Sequence, residues 1–274
     1  MSEGARQRRT PLLMGILNVT PDSFSDGGRF FEPAAAIARG LELLDQGADW
    51  LDVGGESTRP GSEPVPEAVE LERVVPVIRE IAALRPDAVL SVDTTKPTVA
   101  RAAVEAGARV VNDVSALADP GLLDVCVETG AALVLMHTRG TPREMQRHTR
   151  YDDLVGEIAA SLAALADRAR RAGVPADRIW IDPGIGFAKK GLDNARLIAA
   201  VPRFAALGYP VLVGASRKRF IGELTGVESP ADRIYGSIGA ALAAAEAGAD
   251  VLRVHDVAAT RQALTIYGAC RRGD

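Results

Sequence analysis

The chain has 274 residues, a formal net charge of −4, 47% hydrophobic residues and 25% charged ones. That balance belongs to a soluble globular protein and excludes a disordered or membrane-embedded chain, while the small negative charge excludes a general nucleic-acid binder, which needs a broad basic face. The two cysteines, Cys126 and Cys270, stand far apart without a C-x-x-C spacing, so neither a disulfide framework nor a cysteine zinc site is expected, and Cys126 reads as a buried small hydrophobe.

The basic opening segment "MSEGARQRRT" reads as a flexible tail over 1–10, ahead of one domain over 11–274. The apolar run Leu12 to Leu17 is too short for a signal-peptide core or a membrane span, so the expected location is the cytoplasm. It predicts a first strand over 12–17, followed by "NVTPDSFSDGGRF", rich in Gly, Pro, Ser and Asp and without apolar periodicity. A second strand over 49–53 runs into a similar loop, "GGESTRPGSEPVPE", and then a long amphipathic helix over 66–84. Further strands are predicted at 88–92, 109–112, 132–136, 178–181, 210–213 and 250–254, each trailed by a helical pattern, with a second long helix over 152–172. Four of the junctions share one design, "DQGADWLDVGG", "EAGARVVNDVS", "ETGAALVLMHT" and "EAGADVLRVHD". In each, a glycine suited to positive φ closes a helix just before an apolar strand.

The strands are continuously apolar, as parallel strands covered on both faces should be. Eight alternating units in one chain of this length predict an α/β fold, a single-domain (β/α)8 barrel with long mobile βα loops 1 and 2 at its C-terminal face; a doubly wound sheet would use fewer strands. Active sites of such barrels lie at the C-terminal strand ends. Those slots hold Asn18, Asp52, Asp93, Asn112, His137, Asp182, Ser216 to Lys218, Arg253 and His255. Taken singly, a polar strand end is where a chain turns; ten acids, amides and bases converging on one face form a candidate site.

After the seventh strand, "VLVGASRKRFIG" (211–222) puts three cations in a row, for which a solvated charge run is the ordinary explanation. With "GILNVTPDSFSDGG" (15–28), "DVGGESTRPG" (52–61), "SVDTTKPTVARAA" (91–103), "VNDVSAL" (111–117), "LMHTRGTPREMQ" (135–146), "DPGIGFAK" (182–189) and "RVHD" (253–256), it closely resembles the dihydropteroate synthases, in that family's order. The resemblance implies a folate-pathway transferase that joins p-aminobenzoate to 6-hydroxymethyl-7,8-dihydropterin pyrophosphate, inhibited in the family by sulfonamides.

Each candidate residue makes chemical sense in that setting. The resemblance places the pterin on Asp93, Asn112 and Asp182, whose carboxylates and amide answer an amino-pyrimidinone edge. Met136 and Phe187 offer apolar faces, Gly214 lets backbone approach, and Lys218 reaches the ring carbonyl and balances Asp182. Pyrophosphate falls to Asn18, Thr58, Arg59, Arg253 and His255, the last two alternating on one strand and so pointing the same way. Asn18 is also the position implied for Mg2+. Phe24, Pro60, Lys218 and Arg219 surround p-aminobenzoate, and Asp26 stands near the reacting carbon. Arg217 reads as a structural ion-pair partner, His137 and His148 as secondary.

The family chemistry is dissociative: pyrophosphate leaves first and the arylamine attacks a pterin methylene cation. Asp26, Asp93, Asp182, Lys218 and Arg253 are the catalytic candidates, with opposite charges expected to be held apart at the barrel rim. Two other readings stay open, a catalytically silent pterin-binding paralogue and a methyltetrahydrofolate:corrinoid methyltransferase. A homodimer formed through the apolar stretch "YGSIGAALAAAEAG" (235–248) is also expected from the resemblance.

Overall fold

Side chains alternate across a strand, and in a closed sheet the two faces become an inside and an outside. The computed structural model describes residues 10–20, 33–58 and 61–272. Among them run eight parallel strands: β1 (Leu12–Asn18), β2 (Trp50–Gly54), β3 (Val89–Asp93), β4 (Val110–Asp113), β5 (Ala132–Met136), β6 (Ile179–Asp182), β7 (Leu212–Val213) and β8 (Val251–Val254). They follow the order β6-β5-β4-β3-β2-β1-β8-β7. The ring closes between β6 and β7 by a bridge of Ile181 to Val211 and by the Ile181 N–H donating to the Pro210 carbonyl at 3.0 Å. The helices are α1 (Pro33–Asp45), α2 (Glu67–Leu84), α3 (Pro97–Glu105), α4 (Gly121–Thr129), α5 (Leu154–Ala172), α6 (Gly191–Ala199), α7 (Val201–Ala205), α8 (Arg219–Thr225), α9 (Ile234–Ala247) and α10 (Val257–Arg272). No helix among the described residues is long and apolar enough to cross a membrane.

The period of two separates two cores. Met14, Trp50, Val110, Val134, Leu212 and Val251 form one buried cluster inside the ring, where Trp50 meets Trp180 edge to face with centroids 5.0 Å apart. Residues of the other parity, among them Leu13, Leu51, Leu90, Val111, Leu133, Ile181 and Leu252, pack outward in the larger core. Both faces are therefore apolar at the N-terminal end, which is why the strands read as unbroken hydrophobic runs. Two residues further along, the inward parity reaches Asp52, Ser91 and Asn112, and then Asp93, Met136, Asp182 and Arg253. The register sets Asp52 beside Ser91, Asp93 beside Asn112, and Met136 beside Asp182.

The strands lie within one residue of the expected bounds except β7, which spans only Leu212–Val213 instead of 210–213. Pro210 has no N–H to give, and the Val211 N–H is taken by the Asp250 carboxylate at 2.8 Å, so the ladder starts late. The two long helices also form where expected, α5 being capped by Asp153, which accepts the Gly156 N–H at 3.0 Å. All four repeated glycines take positive φ, 95° at Gly47, 122° at Gly107, 72° at Gly130 and 93° at Gly248.

Gly107 is the most constrained of them, since a Cβ there would lie 2.6 Å from the Ala82 Cβ on α2. Gly107→Ala is therefore expected to cost about 2–4 kcal/mol of unfolding free energy, from αL strain plus the clash. Urea denaturation measures it, and an unchanged midpoint would contradict this account of the turn.

Candidate active site

Asp52 sits on the inner face of β2 and is wholly buried. Its Oδ2 accepts the Asn112 Nδ2–H from β4 at 2.9 Å and the Arg253 Nε–H from β8 at 2.6 Å. Arg253 Nη2 donates to Asp93 Oδ2 at 2.8 Å, so one guanidinium spans two carboxylates. The remaining oxygens, Oδ1 of Asp52 and Oδ1 of Asp93, are buried without a hydrogen-bond partner. This corrects the expectation that opposite charges are held apart at the rim. Two desolvated acids on adjacent strands draw the nearest cation into direct contact, because an uncompensated buried charge costs several kcal/mol, roughly 3–5.

The same burial sets the proton affinities. Desolvation pushes Asp93 up to about 7 against the pull of Arg253, and Asp52, Glu70 and Asp113 push the same way. Burial opposes the charge on Arg253, but Asp52 and Asp93 outweigh it and hold the guanidinium above its ordinary value.

Across the mouth, Asp182 ends β6 and its Oδ1 accepts the Gly184 N–H at 2.7 Å. Burial raises its pKa, opposed chiefly by the charge of Lys218. The loop that follows folds back tightly: at Gly184 (φ 72°) a Cβ would lie 2.0 Å from the His137 carbonyl oxygen. Lys189 anchors that loop, its Nζ lying 2.8 Å from His137 Nδ1 and 3.1 Å from the His137 carbonyl. Burial first, then Lys189 and Arg139, drive His137 down to about 3, so the ring is neutral at physiological pH and serves as an anchor. The loop presents two things to Lys218: the Ile185 carbonyl, which accepts from Nζ, and the Phe187 ring, whose centroid lies 4.5 Å from Nζ. Burial pulls Lys218 down to about 8, against the attraction of Asp182. Met136 is buried beside Asp182 in the β5–β6 register, and Gly214 packs on Arg253, where an added Cβ would lie 3.6 Å from the Arg253 Cβ.

Arg217 is the structural partner expected: its Nε and Nη2 donate to the two Asp256 oxygens at 3.0 and 2.5 Å. Arg219 opens α8, is exposed, and pairs with Glu223 along its own helix at 2.7 Å. Ser216 Oγ accepts the His255 backbone N–H at 3.2 Å and lies 3.0 Å from His255 Nδ1, which ties the ring to the end of β7. Asn18 stands half-buried at the end of β1. Thr58 lines a cavity of about 600 Å³ together with Phe187, Ser115 and Thr138. The base of loop 2 is tied by Glu56, which accepts from Val65 N–H at 2.9 Å and Lys96 Nζ at 2.6 Å, and the Gly61 N–H reaches the Pro142 carbonyl after β5 at 3.1 Å. Phe24, Asp26, Arg59 and Pro60 lie outside the described residues. His148 is exposed and takes no part.

Two side chains matter more than sequence reasoning allowed. Asp52 occupied a strand-end slot without a role, although its spacing of two from Trp50 already marks it as facing inward. Lys189 carried no signal, since only the backward fold of its loop brings it to His137. Among the described residues no three His, Cys, Asp or Glu side chains gather closely enough to hold a metal ion.

Comparison with known proteins gives this geometry a context. Residues 14–255 match the family of pterin binding enzymes. The dihydropteroate synthase of Synechocystis sp. is 45% identical over 263 residues, covering 95% of this chain and 90% of the relative. The solved structure of Xanthomonas albilineans dihydropteroate synthase with 4-aminobenzoic acid superposes with a TM-score of 0.90 at 52% identity, covering 95% of this chain and 93% of that one. The same enzyme in complex with 7,8-dihydropteroate gives 0.87 at 50%, covering 95% and 94%.

The raised pKa of Asp93 makes stability depend on pH with a definite sign. The folded chain keeps a proton there that the unfolded chain releases near its ordinary value of 3.8, so this contribution is complete below that pH and is lost as pH rises through about 7. Asp93→Asn cannot titrate. Denaturation of both proteins from pH 4 to 8 should show the parent losing stability relative to the variant as pH rises, and a constant difference would mean that Asp93 titrates as an ordinary carboxylate.

Proposed function

The chain belongs to the pterin-binding enzymes and, among them, to the dihydropteroate synthases, and on that premise we propose how its own residues condense 6-hydroxymethyl-7,8-dihydropterin pyrophosphate with p-aminobenzoate in the cytoplasm. The observation that carries the reading is the convergence of Asp93, Asp182, Lys218 and Arg253, which lie near enough for each charge to shift the proton affinity of others. One mouth thus carries acids for a pterin edge and cations for an anion.

The pterin edge presents N–H donors to Asp93 and Asp182. The unpartnered Oδ1 of Asp93 supports this, because a buried acceptor without a donor is costly, about 1–3 kcal/mol, and a ring N–H relieves it. Asn112 meets the mixed edge, Lys218 donates to the ring carbonyl, and Met136, Phe187 and Gly214 enclose the flat ring. Arg253, His255, Asn18, Thr58 and Arg59 take the pyrophosphate. Phe24, Pro60, Lys218 and Arg219 form the p-aminobenzoate site, where Arg219 would exchange Glu223 for the substrate carboxylate.

The substitution is dissociative. The methylene C–O bond breaks with its electron pair leaving on pyrophosphate, and the developing cation is favoured by Asp93, Asp182 and Asp26. The arylamine nitrogen then bonds to the methylene and loses a proton. Arg253 and His255 hold the departing anion by charge-assisted hydrogen bonds. Asn18 offers one neutral amide oxygen, which suits a Mg2+ that arrives on phosphate oxygens and not one caged by protein. When bound, Mg2+ would neutralise charge on the leaving group.

The enzyme acts as a homodimer in this reading. A cavity of about 500 Å³ outside the barrel is lined by Ile198, Phe220, Leu224, Ala240 and Ala243 of α6, α8 and α9, where Leu224 and Tyr235 are exposed. It offers an apolar face to a second copy.

Incubating the chain with the pterin pyrophosphate, p-aminobenzoate and Mg2+ should yield dihydropteroate; no product from folded protein would favour the silent paralogue. Arg253→Ala is expected to lower kcat roughly 100-fold or more, the loss of a well-aimed donor worth about 2.7–4 kcal/mol. Near-parental turnover in a folded variant would remove Arg253 from the mechanism.

A further inference from the structure

Asp52 has no part in the substrate contacts above, yet the two groups that read the two halves of the pterin substrate both end on it. We propose that Asp52 is a positioning residue, a single carboxylate oxygen that holds the Asn112 amide and the Arg253 guanidinium in one fixed mutual geometry. The inference rests on the functional reading just given.

Three observations carry it. First, Oδ2 is a shared acceptor, 2.9 Å from Asn112 Nδ2 and 2.6 Å from Arg253 Nε. A carboxylate only accepts, so Asn112 must turn its NH2 toward Asp52, and its Oδ1 is left as the acceptor available to a ligand N–H. An amide at position 52 could satisfy either orientation and would leave that choice open. Second, the guanidinium is planar, so binding Nε to Asp52 and Nη2 to Asp93 fixes the direction of Nη1. Nη1 has no acceptor among the described residues and is the donor left for a departing anion. Third, Asp52 is fully buried and its Oδ1 has no partner, which is unfavourable for stability alone.

A consequence follows for Asp93, which is faced by Arg253 of β8, Asp52 of β2, Glu70 of α2 and Asp113 of β4, with Asp182 and Lys218 across the mouth. Neutralising Asp52 removes a repulsion from Asp93 and leaves Arg253 to Asp93 alone. Both changes favour the ionised form, so both lower the pH at which Asp93 titrates.

The test compares the parent with Asp52→Asn by steady-state kinetics across pH, by thermal melting, and by calorimetric binding of 6-hydroxymethylpterin. The variant should lose about tenfold or more in kcat and bind the pterin probe about tenfold more weakly, as expected for disturbed charge-assisted hydrogen bonds, with the KM for p-aminobenzoate within about twofold of the parent. The acid limb of kcat/KM for the pterin substrate should move to lower pH. In an Arg253→Lys background, whose single ammonium cannot fork between the two acids, the further loss in kcat from Asp52→Asn should shrink to about twofold. Unchanged kcat and acid limb, or a uniform loss with a lowered melting temperature and an unmoved limb, would overturn the proposal. Should Asp52→Asn fail to fold, Asp52→Ser is measured in the same way. A parent that binds the pterin probe in an Asp52-dependent manner but makes no dihydropteroate would overturn the catalytic reading and leave the positioning role standing.

Discussion

The interaction on which the site depends is the fork of Arg253 between Asp52 and Asp93. A closed ring of eight parallel strands has an interior too narrow for bulk water, and strand parity sends acids from β2, β3 and β6 into it. Those acids cannot all be ionised beside one another in a desolvated space. Arg253 from the last strand pairs with two of them, and burial still leaves Asp93 a carboxylic acid titrating about 7 and draws Lys218 down to about 8 against the pull of Asp182. Buried acceptors without donors complete the picture. The interior is therefore prepared for a ligand that brings N–H groups and tolerates positive charge, which describes the ring and the reacting methylene of a dihydropterin.

The direct contact changes how the electrostatics of catalysis must be understood. Had the cations and acids been held apart, each would act on its own part of the substrate. With Arg253 already engaged, part of its charge is spent on Asp52 and Asp93, and in the proposed mechanism the leaving group would meet what remains. The balance suits a dissociative substitution, because a cation formed on the methylene gains from the acids, while the anion that departs needs only a well-directed donor to leave. An isolated, fully exposed arginine would bind a diphosphate more strongly in the ground state without that selectivity.

Much of this was legible in the sequence, for identifiable reasons. Strands covered on both faces give unbroken apolar runs, and glycines with positive φ mark their beginnings, so seven strands fell within a residue of expectation. β7 did not, because Pro210 and the Asp250 side chain together deny it two ladder donors, and only the second of these is a tertiary effect. The identity of the strand-end residues was equally visible. Their pairing was not: Arg253 and Asp52 are 201 residues apart, and no local pattern reports that β8 and β2 both lie against β1 with these side chains at one height. Lys189 and His137, 52 residues apart, meet for a similarly remote reason, the sharp reversal at Gly184.

The run Arg217-Lys218-Arg219 shows how far three like charges can diverge when a turn separates their directions. Arg217 takes φ 59°, a strained value for a residue with a side chain. That conformation is held from three sides, by the Asp256 fork, by Ser237 Oγ accepting its N–H at 2.9 Å, and by Arg233 donating to its carbonyl at 3.1 Å. The left-handed residue reverses the chain just before α8, which turns Lys218 inward to Ile185 and Phe187 while Arg219, one step later, faces water and pairs with Glu223. A solvated charge run would place all three in one environment. Here the first cation is consumed in holding the backbone so that the second can be desolvated, and only the third behaves as an ordinary surface charge. Strain at Arg217 is thus the structural cost of delivering Lys218 to a pocket that burial makes unfavourable for it, and the Asp256 pair is what keeps that arrangement in place.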